Sequence, residues 1–145
     1  MKRIICFPFD GDKIGGSHIL SIEIIKSLKK VNTIEPVVVL HKKGKLLQLL
    51  KKNHINYDYL PLYLFTSKID VIKNFLKFIK STYRIKYYLL KEKIDIIHSN
   101  NTNIHLNWLL PGKLAKTKII WHLHARFPNW PLFKLLSKGA DKFIS

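Results

Sequence analysis

Short apolar segments alternate along the whole chain with longer segments of helical periodicity. Six runs of strand length predict β-strands, at residues 3–9, 36–40, 55–60, 94–97, 118–123 and 141–144. Apolar residues three or four apart predict helices at residues 18–30, 46–50, 68–92, 103–115 and 130–138, with Pro111-Gly112 as a possible break in the fourth. This alternation predicts a Rossmann-like α/β fold, a single domain whose doubly wound parallel sheet lies in three layers (α/β/α).

Three polar clusters lie where predicted strands end. They are Gly15-Gly16-Ser17, His98-Ser99-Asn100 and His122-Leu123-His124. The carboxyl ends of parallel strands share one edge of a sheet, and ligands bind in the crevice at that edge. In the strand order 3-2-1-4-5-6, the first two clusters would flank the point where the order reverses. We therefore expect one site to collect all three.

The glycine cluster precedes a predicted helix, for which Ser17 is the expected N-cap. Glycine lets a ligand approach the backbone closely, and the free N–H groups of a helix N-terminus favour a phosphate. Gly15-Gly16 matches neither G-x-G-x-x-G nor G-x-x-x-x-G-K-[ST], so a plain turn is the alternative.

The histidine clusters offer acid–base and hydrogen-bonding groups. His122 and His124 are two apart on a strand and project to one face, with His124 nearest the crevice and His122 one layer deeper. A metal site of His98, His122 and His124 would lack a cysteine or carboxylate ligand, so we expect no metal and no other cofactor. Ser99 and Asn100 either hydrogen-bond a polar substrate or belong to a turn capped by Asn101 or Thr102.

Basic residues outnumber acidic ones by 26 to 9, giving a formal charge of +17. Only Arg3, Arg84 and Arg126 are arginines, so a lysine-rich solvated surface explains much of the charge. A basic nucleic-acid- or membrane-surface-binding module without catalysis remains the alternative function, although no nucleic-acid motif is recognisable. The single Cys6 suits a reducing compartment, and no signal peptide or membrane-spanning run is recognisable. We therefore expect a cytoplasmic protein.

The segment 68–93 carries eight basic and two acidic residues with interleaved aromatics. One interpretation is a helix lying on an anionic membrane through Lys73, Lys77, Lys80, Arg84 and Lys86. The favoured interpretation packs its apolar stripe on the sheet and leaves the lysines solvated. That stripe comprises Ile72, Phe75, Leu76, Ile79, Tyr83, Tyr87 and Leu90.

Taken together, the motifs resemble the N-terminal domain of a GT-B glycosyltransferase of the large group-4 family of bacterial sugar transferases. The resemblance covers nearly the whole chain. It rests on residues 15–18 (Gly-Gly-Ser-His), 95–100 (Asp-Ile-Ile-His-Ser-Asn), 119–124 (Ile-Ile-Trp-His-Leu-His) and 140–145 (Ala-Asp-Lys-Phe-Ile-Ser). It implies retaining transfer of a hexose from a nucleotide-sugar to a glycan or lipid-linked acceptor, as in polysaccharide biosynthesis. Together with the basic segment 68–93, it makes a peripheral location on the inner face of the cell membrane an expectation.

The resemblance also implies roles for individual residues. Gly15 and Gly16 would approach the donor diphosphate, and His124 would hydrogen-bond the transferred sugar as the active-site histidine. The acceptor side would include Ser17, His18, Ser99, Asn100 and Arg126. The family commonly has Asp or Gly after its histidine, where this chain has Ala125-Arg126.

The donor-binding half of such transferases has no counterpart in the 145 residues. A leaving diphosphate needs stabilising positive charge, and transfer needs donor and acceptor held together. We therefore expect residues 1–145 to be inactive without a C-terminal donor-binding domain or a partner subunit.

Overall fold

A computed structural model describes residues 2–65, 68–123 and 138–144. The elements are β1 (Arg3–Phe9), α1 (Gly16–Lys29), β2 (Ile34–Leu40), α2 (Lys45–Lys52), β3 (Asp58–Tyr59), α3 (Lys68–Lys73), α4 (Phe75–Lys91), β4 (Ile96–Ser99), α5 (Thr102–Leu114), β5 (Lys118–His122) and β6 (Lys142–Ile144). The strands form one parallel sheet in the order β3-β2-β1-β4-β5-β6. The predicted fold class and strand order are confirmed.

Two apolar clusters cover opposite faces of this sheet. On one face Phe7 and Val38 pack with Ile22 of α1 and Leu46 of α2. On the other face the strand residues pack with α4 and α5, through Cys6, Val39, Ile85, Leu89, Ile97, Trp108 and Ile119. Neighbouring strand residues such as Cys6 and Phe7 therefore serve opposite layers, as alternation along a strand requires. The three-layer α/β/α arrangement follows from these contacts.

Two predicted strands differ in their bounds. Strand β3 is limited to Asp58–Tyr59, because it pairs only with Val39 and Leu40 at the sheet edge. Strand β4 begins and ends two residues later than predicted, because His98 and Ser99 pair with Ile120 and Trp121 of β5. The polar residues expected in a loop after β4 therefore include the last two residues of the strand itself.

The helix predicted over residues 68–92 is divided at Asn74. The side-chain amide of Asn74 donates to the carbonyl oxygen of Asp70 at 3.4 Å and to its carboxylate at 3.1 Å. Its backbone, with φ −121° and ψ 38°, leaves the helical region. Asparagine side chains compete with helical backbone bonding in this way. The result is a short α3 followed by the longer α4.

The favoured apolar stripe of this segment does not pack on the sheet. Leu76, Tyr83, Tyr87 and Leu90 are 80%, 65%, 69% and 55% exposed, and Ile72 and Phe75 are exposed as well. The inward face of α4 instead carries the buried residues Ser81, Thr82, Ile85 and Leu89. The prediction was wrong because Ile85 and Leu89, which meet the sheet core, set the rotation of the helix.

Helix α5 continues through Pro111-Gly112 to Leu114. A Cβ atom at Gly112 would lie 2.7 Å from Ile97 Cδ1 and 2.9 Å from Ile119 Cδ1. The glycine therefore lets α5 approach β4 and β5 closely. The helix predicted at residues 130–138 lies largely outside the described residues, and no described helix is long and apolar enough to cross a membrane.

Candidate functional site

A cavity of about 480 Å³ lies at the carboxyl edge of the sheet, between the segments that follow β1 and β4. It is lined by Asp10, Asp12, Lys13, His18, Asn101, Thr102 and Asn103. Strands β1 and β4 are the neighbours at which the strand order reverses. The cavity therefore occupies the position where doubly wound folds bind their ligands.

The start of α1 forms one wall of this crevice. Gly15, rather than the predicted Ser17, is the N-cap, and its carbonyl oxygen accepts from the His18 amide at 3.0 Å. The Gly15 amide in turn donates to His18 Nδ1 at 3.1 Å. This reciprocal pair fixes the His18 ring against the helix start with its Nδ1 as an acceptor. Ser17 lies in the first turn, where its carbonyl oxygen accepts from the Ser21 hydroxyl.

Gly16 is exposed and is the first residue of α1. A Cβ atom added there would meet nothing within 4 Å, so packing inside the protein does not require glycine at this position. The free amides at the start of a helix present partial positive charge, which favours an anion. A phosphate could therefore approach the backbone amides at Gly16 without meeting a side chain.

Two carboxylates that the sequence interpretation missed line the same cavity. Lys42 Nζ lies 2.7 Å from Asp12 Oδ2 and 3.4 Å from Asp10 Oδ1. The Asp12 hydrogen bond, against some desolvation, raises the pKa of Lys42. Asp10 and Asp12 follow β1 directly, so the rule that selected the other strand-end clusters applies to them too. Such carboxylates accept hydrogen bonds from sugar hydroxyls.

The loop that holds these carboxylates packs backbone to backbone on the loop after β2. Gly11 has a φ of +105°, and its Cβ position lies 2.1 Å from the Lys42 carbonyl oxygen. The Lys42 amide donates to the Asp10 carbonyl at 2.9 Å, and the Leu46 amide donates to the Gly11 carbonyl at 3.2 Å. Because these bonds tie the two loops together, the crevice wall at Asp10 is firmly positioned.

The start of α5 forms the opposite wall. Asn101 is its N-cap, as one of the two expected cap residues, and its side-chain oxygen accepts from the Ile104 amide at 2.8 Å. Thr102 and Asn103 then occupy the first helical turn and line the cavity. Two helix N-termini, those of α1 and α5, thus border a single crevice.

Ser99 and Asn100 lie behind the crevice. The Ser99 hydroxyl is fully buried; it hydrogen-bonds His105 Nδ1 at 2.9 Å and donates to the Ile120 carbonyl at 3.2 Å. The Asn100 side chain is also buried and contacts Ser21 and Asn101. Their described contacts join the end of β4 to α1, α5 and β5. Their predicted contact with an acceptor stays a prediction.

The two histidines of the described strands contact each other, with His98 buried and His122 half-buried. His98 is buried against Phe7, with ring centroids 4.8 Å apart, and lies edge-on to His122 at 5.5 Å. The supporting position expected for His122 stays a prediction. His124 and Arg126 lie outside the described residues. Within the described ranges, no three His, Cys, Asp or Glu side chains are grouped so as to hold a metal ion.

A second cavity, of about 370 Å³, lies at the amino edge of β2 and β3 and is lined in part by Lys2, Lys29 and Pro36. Ligands of open α/β sheets bind at the carboxyl edge, so this second cavity is not the candidate site. The predicted membrane-contact residues are separate from the crevice as well, since they lie on α3 and α4.

Solved structures with a similar fold use this architecture over part of their length. MurG from Acinetobacter baumannii aligns with 99% of this chain at 15% identity and a TM-score of 0.73, over 40% of its own chain. A putative UDP-N-acetylglucosamine 2-epimerase from Listeria monocytogenes aligns with 100% at 18% identity and a TM-score of 0.72, over 39% of its chain. Anabaena HepE in complex with UDP and glucose aligns with 97% at 17% identity and a TM-score of 0.69, over 37% of its chain.

These likenesses establish the fold. The chain has the Rossmann-like fold of GT-B glycosyltransferases, as the sequence resemblance implied. It spans about two fifths of the length of the proteins it matches. No protein-family model matches the sequence, and no curated protein matches it at a significant level.

Proposed function

We propose that this chain forms the acceptor-side wall of a glycosyltransferase that moves a hexose from a nucleotide-sugar to a glycan or a lipid-linked acceptor. The observation that carries the proposal is the crevice at the reversal of strand order, where two helix N-termini meet two carboxylates. Helix N-termini suit a diphosphate, and carboxylates suit sugar hydroxyls. A nucleotide-sugar carries both groups, and two of the similar structures are named with UDP or a UDP-sugar.

In this proposal the glycines receive the donor diphosphate, and the acceptor lies near Ser17, His18 and Arg126. His124 is proposed to hydrogen-bond the transferred sugar, with retention of anomeric configuration as the resemblance implies. Exposed Ile14, Ile19 and Leu20 flank the glycines and are suited to a covering surface. These assignments rest on the position of the residues in the chain and on the resemblance.

Replacement of Gly16 by alanine should weaken nucleotide-sugar binding without lowering the stability of the fold. Since the added methyl meets nothing within 4 Å, the unfolding free energy should stay equal or rise by about 0.5–1 kcal/mol. A methyl between the backbone and a diphosphate should weaken nucleotide-sugar binding about tenfold. Calorimetric titration with UDP- and GDP-sugars, beside thermal melting, measures both effects.

Gln48→Ala is the matched control, because Gln48 is an exposed, uncharged residue of α2 that does not line the crevice. That variant should bind the nucleotide-sugar as the parent chain does. Unchanged binding by Gly16→Ala would contradict the proposed position of the diphosphate.

We further propose that residues 1–145 need a donor-binding half to complete the transfer. The described crevice has one wall on α1 and one on α5; Lys13 lines it, and Lys42, behind it, already pairs with the carboxylates of Asp10 and Asp12. Stabilising a leaving diphosphate requires more positive charge than that. Turnover of a UDP- or GDP-sugar by the purified chain, abolished by His124→Ala, would contradict this requirement.

A peripheral location on the cytoplasmic face of the membrane is part of the proposal. It is supported by Lys73, Lys77, Lys80, Arg84 and Lys86, none of which forms an ion pair among the described residues. Binding to vesicles of anionic lipid should therefore fall strongly as salt rises, because salt screens exposed charges. Co-sedimentation with the vesicles at low and high ionic strength measures this salt dependence. Binding that is equally strong at both ionic strengths would exclude a contact driven by charge.

A further inference from the structure

A third cavity lies between α4 and the segment that follows β3. Its volume is about 390 Å³, and it shares no lining residue with the crevice between α1 and α5. Its lining includes His41, Pro61, Tyr63, Lys77, Lys80 and Arg84. Three cationic side chains line it, and no carboxylate does. We call it the α4 cleft.

The wall of the α4 cleft opposite the helix is fixed by buried hydrogen bonds. His41, which is buried, donates from Nδ1 to the Leu60 carbonyl at 2.7 Å. Asn107, also buried, accepts from the Phe65 amide at 2.9 Å and donates to the Phe65 carbonyl at 2.8 Å. These bonds hold the chain between residues 60 and 65 at both ends. The cleft is therefore a preformed feature of the fold.

The cations of the α4 cleft share one side of the helix. Lys77, Lys80 and Arg84 are spaced by three and four residues, which places them in one row along α4. None of them forms an ion pair among the described residues. Arg84 uses one N–H to donate to the Pro61 carbonyl at 3.1 Å, which anchors a guanidinium with five donors. Three unneutralised charges around one cavity favour a doubly charged anion.

An apolar surface continues from the α4 cleft along the same helix. A groove of about 420 Å³ shares Arg84 with the cleft and is otherwise lined by Leu60, Tyr83, Tyr87, Tyr88 and Lys91. The exposed side chains of Leu76, Tyr83, Tyr87 and Leu90 lie beside it on one helical face. Tyrosines and aliphatic side chains next to lysines are the composition of surfaces that enter the headgroup region of a bilayer.

We infer that the α4 cleft binds the terminal phosphate of an anionic lipid headgroup while the adjoining apolar face contacts the acyl region. The row of three cations provides the charge and the guanidinium fork that a phosphomonoester requires. The apolar face favours a lipid as the source of that phosphate, because a soluble phosphate has no apolar group that could contact this face. This assignment rests on the peripheral membrane location proposed above, and it does not depend on sugar transfer at the crevice between α1 and α5.

The test compares vesicles that differ in headgroup at equal surface potential. Phosphatidylcholine vesicles are doped with phosphatidic acid, which has a terminal phosphate, or with phosphatidylglycerol, which has only a phosphodiester. The chain should bind the phosphatidic acid vesicles at least about fivefold more tightly. Equal affinity for the two kinds of vesicle would overturn the inference.

Two double variants of equal net charge distinguish phosphate binding in the α4 cleft from general electrostatic attraction to an anionic membrane. Lys80→Gln with Arg84→Gln removes two cations of the cleft, whereas Lys73→Gln with Lys86→Gln removes two cations that do not line it. The first variant should lose the preference for phosphatidic acid, and the second should bind both vesicles more weakly while keeping it. Equal losses in the two variants would overturn the assignment to this cleft.

Soluble probes exclude the other sources of phosphate. Inorganic phosphate, pyrophosphate and a short RNA oligomer should fail to displace the chain from phosphatidic acid vesicles at equal phosphate concentration. Displacement by any of them would overturn the lipid assignment. If the Lys80 and Arg84 variant fails to fold, amide shifts of the parent chain with a soluble short-chain phosphatidic acid decide instead. Those shifts should concentrate in residues 77–84, and their absence there would overturn the inference.

Discussion

Replacement of Trp108 by alanine is expected to lower the unfolding free energy by about 3–5 kcal/mol. Trp108 is fully buried in α5 and belongs to the cluster that joins α4 and α5 to the sheet. Its ring lies 6.5 Å from that of Tyr88 and 5.6 Å from that of His41. An alanine leaves a cavity among these rigid neighbours, so lost burial and lost contacts add together.

The indole of Trp108 also takes part in a chain of buried hydrogen bonds. Trp108 Nε1 donates to His41 Nε2 at 2.9 Å, while His41 Nδ1 donates to the Leu60 carbonyl. Burial, opposed by the Leu60 bond, lowers the pKa of His41, so the ring stays neutral and Nε2 remains an acceptor. Without the indole this acceptor is buried and unsatisfied, which adds to the cost.

Urea titrations of Trp108→Ala and Trp108→Phe measure the two contributions. Trp108→Phe keeps most of the packing and loses only the hydrogen bond, so it should cost about 1–3 kcal/mol. An alanine variant as stable as the phenylalanine variant would contradict the central packing role of this residue.

Gly11→Ala should destabilise the chain by about 2–5 kcal/mol, because a strained backbone and a steric clash act together. The φ of +105° disfavours any residue with a Cβ atom. That atom would also lie 2.1 Å from the Lys42 carbonyl, a backbone atom in the paired loop. Relief of the clash must separate the loops that carry Asp10 and Lys42. We therefore expect weaker ligand binding in the crevice as well as a lower melting temperature.

The matched control for Gly11→Ala is Gly16→Ala, the same chemical change at a position with open space. The two variants should differ in melting temperature by several degrees, with Gly16→Ala at or above the parent chain. Equal melting temperatures would show that the contact between the two loops at Gly11 and Lys42 contributes little to stability.

The fold was accessible from the sequence because its strands are separated by clear helical periods. The rotation of α4 about its own axis could not be predicted from the sequence. Both the exposed set around Leu76, Tyr83 and Tyr87 and the buried set around Ile85 and Leu89 satisfy a helical period. Only contact with the sheet decides between them, and that information is tertiary. Hydrophobicity favoured the aromatic face, whereas the inward face includes buried Ser81 and Thr82.

The candidate site was accessible only in part. Gly15-Gly16 and the cap at Asn101 follow from local rules for helix starts, and the structure places both at the same edge of the sheet. The link from Lys42 to Asp12 joins residues 30 positions apart, and only the pairing of β1 with β2 brings them together. The burial of Ser99 follows from two extra residues of pairing between β4 and β5. No local pattern encodes these contacts.

The most direct test of the account is a titration of the isotopically labelled chain with UDP- and GDP-sugars, followed by amide chemical shifts. If the crevice at the carboxyl edge receives the diphosphate, saturable shifts will appear at Gly15, Gly16, His18 and residues 101–103. The amides of Lys2, Lys29 and Val37 at the opposite edge should not shift. Shifts confined to that opposite edge, or no shift at the glycines with any nucleotide-sugar, would contradict the proposed site.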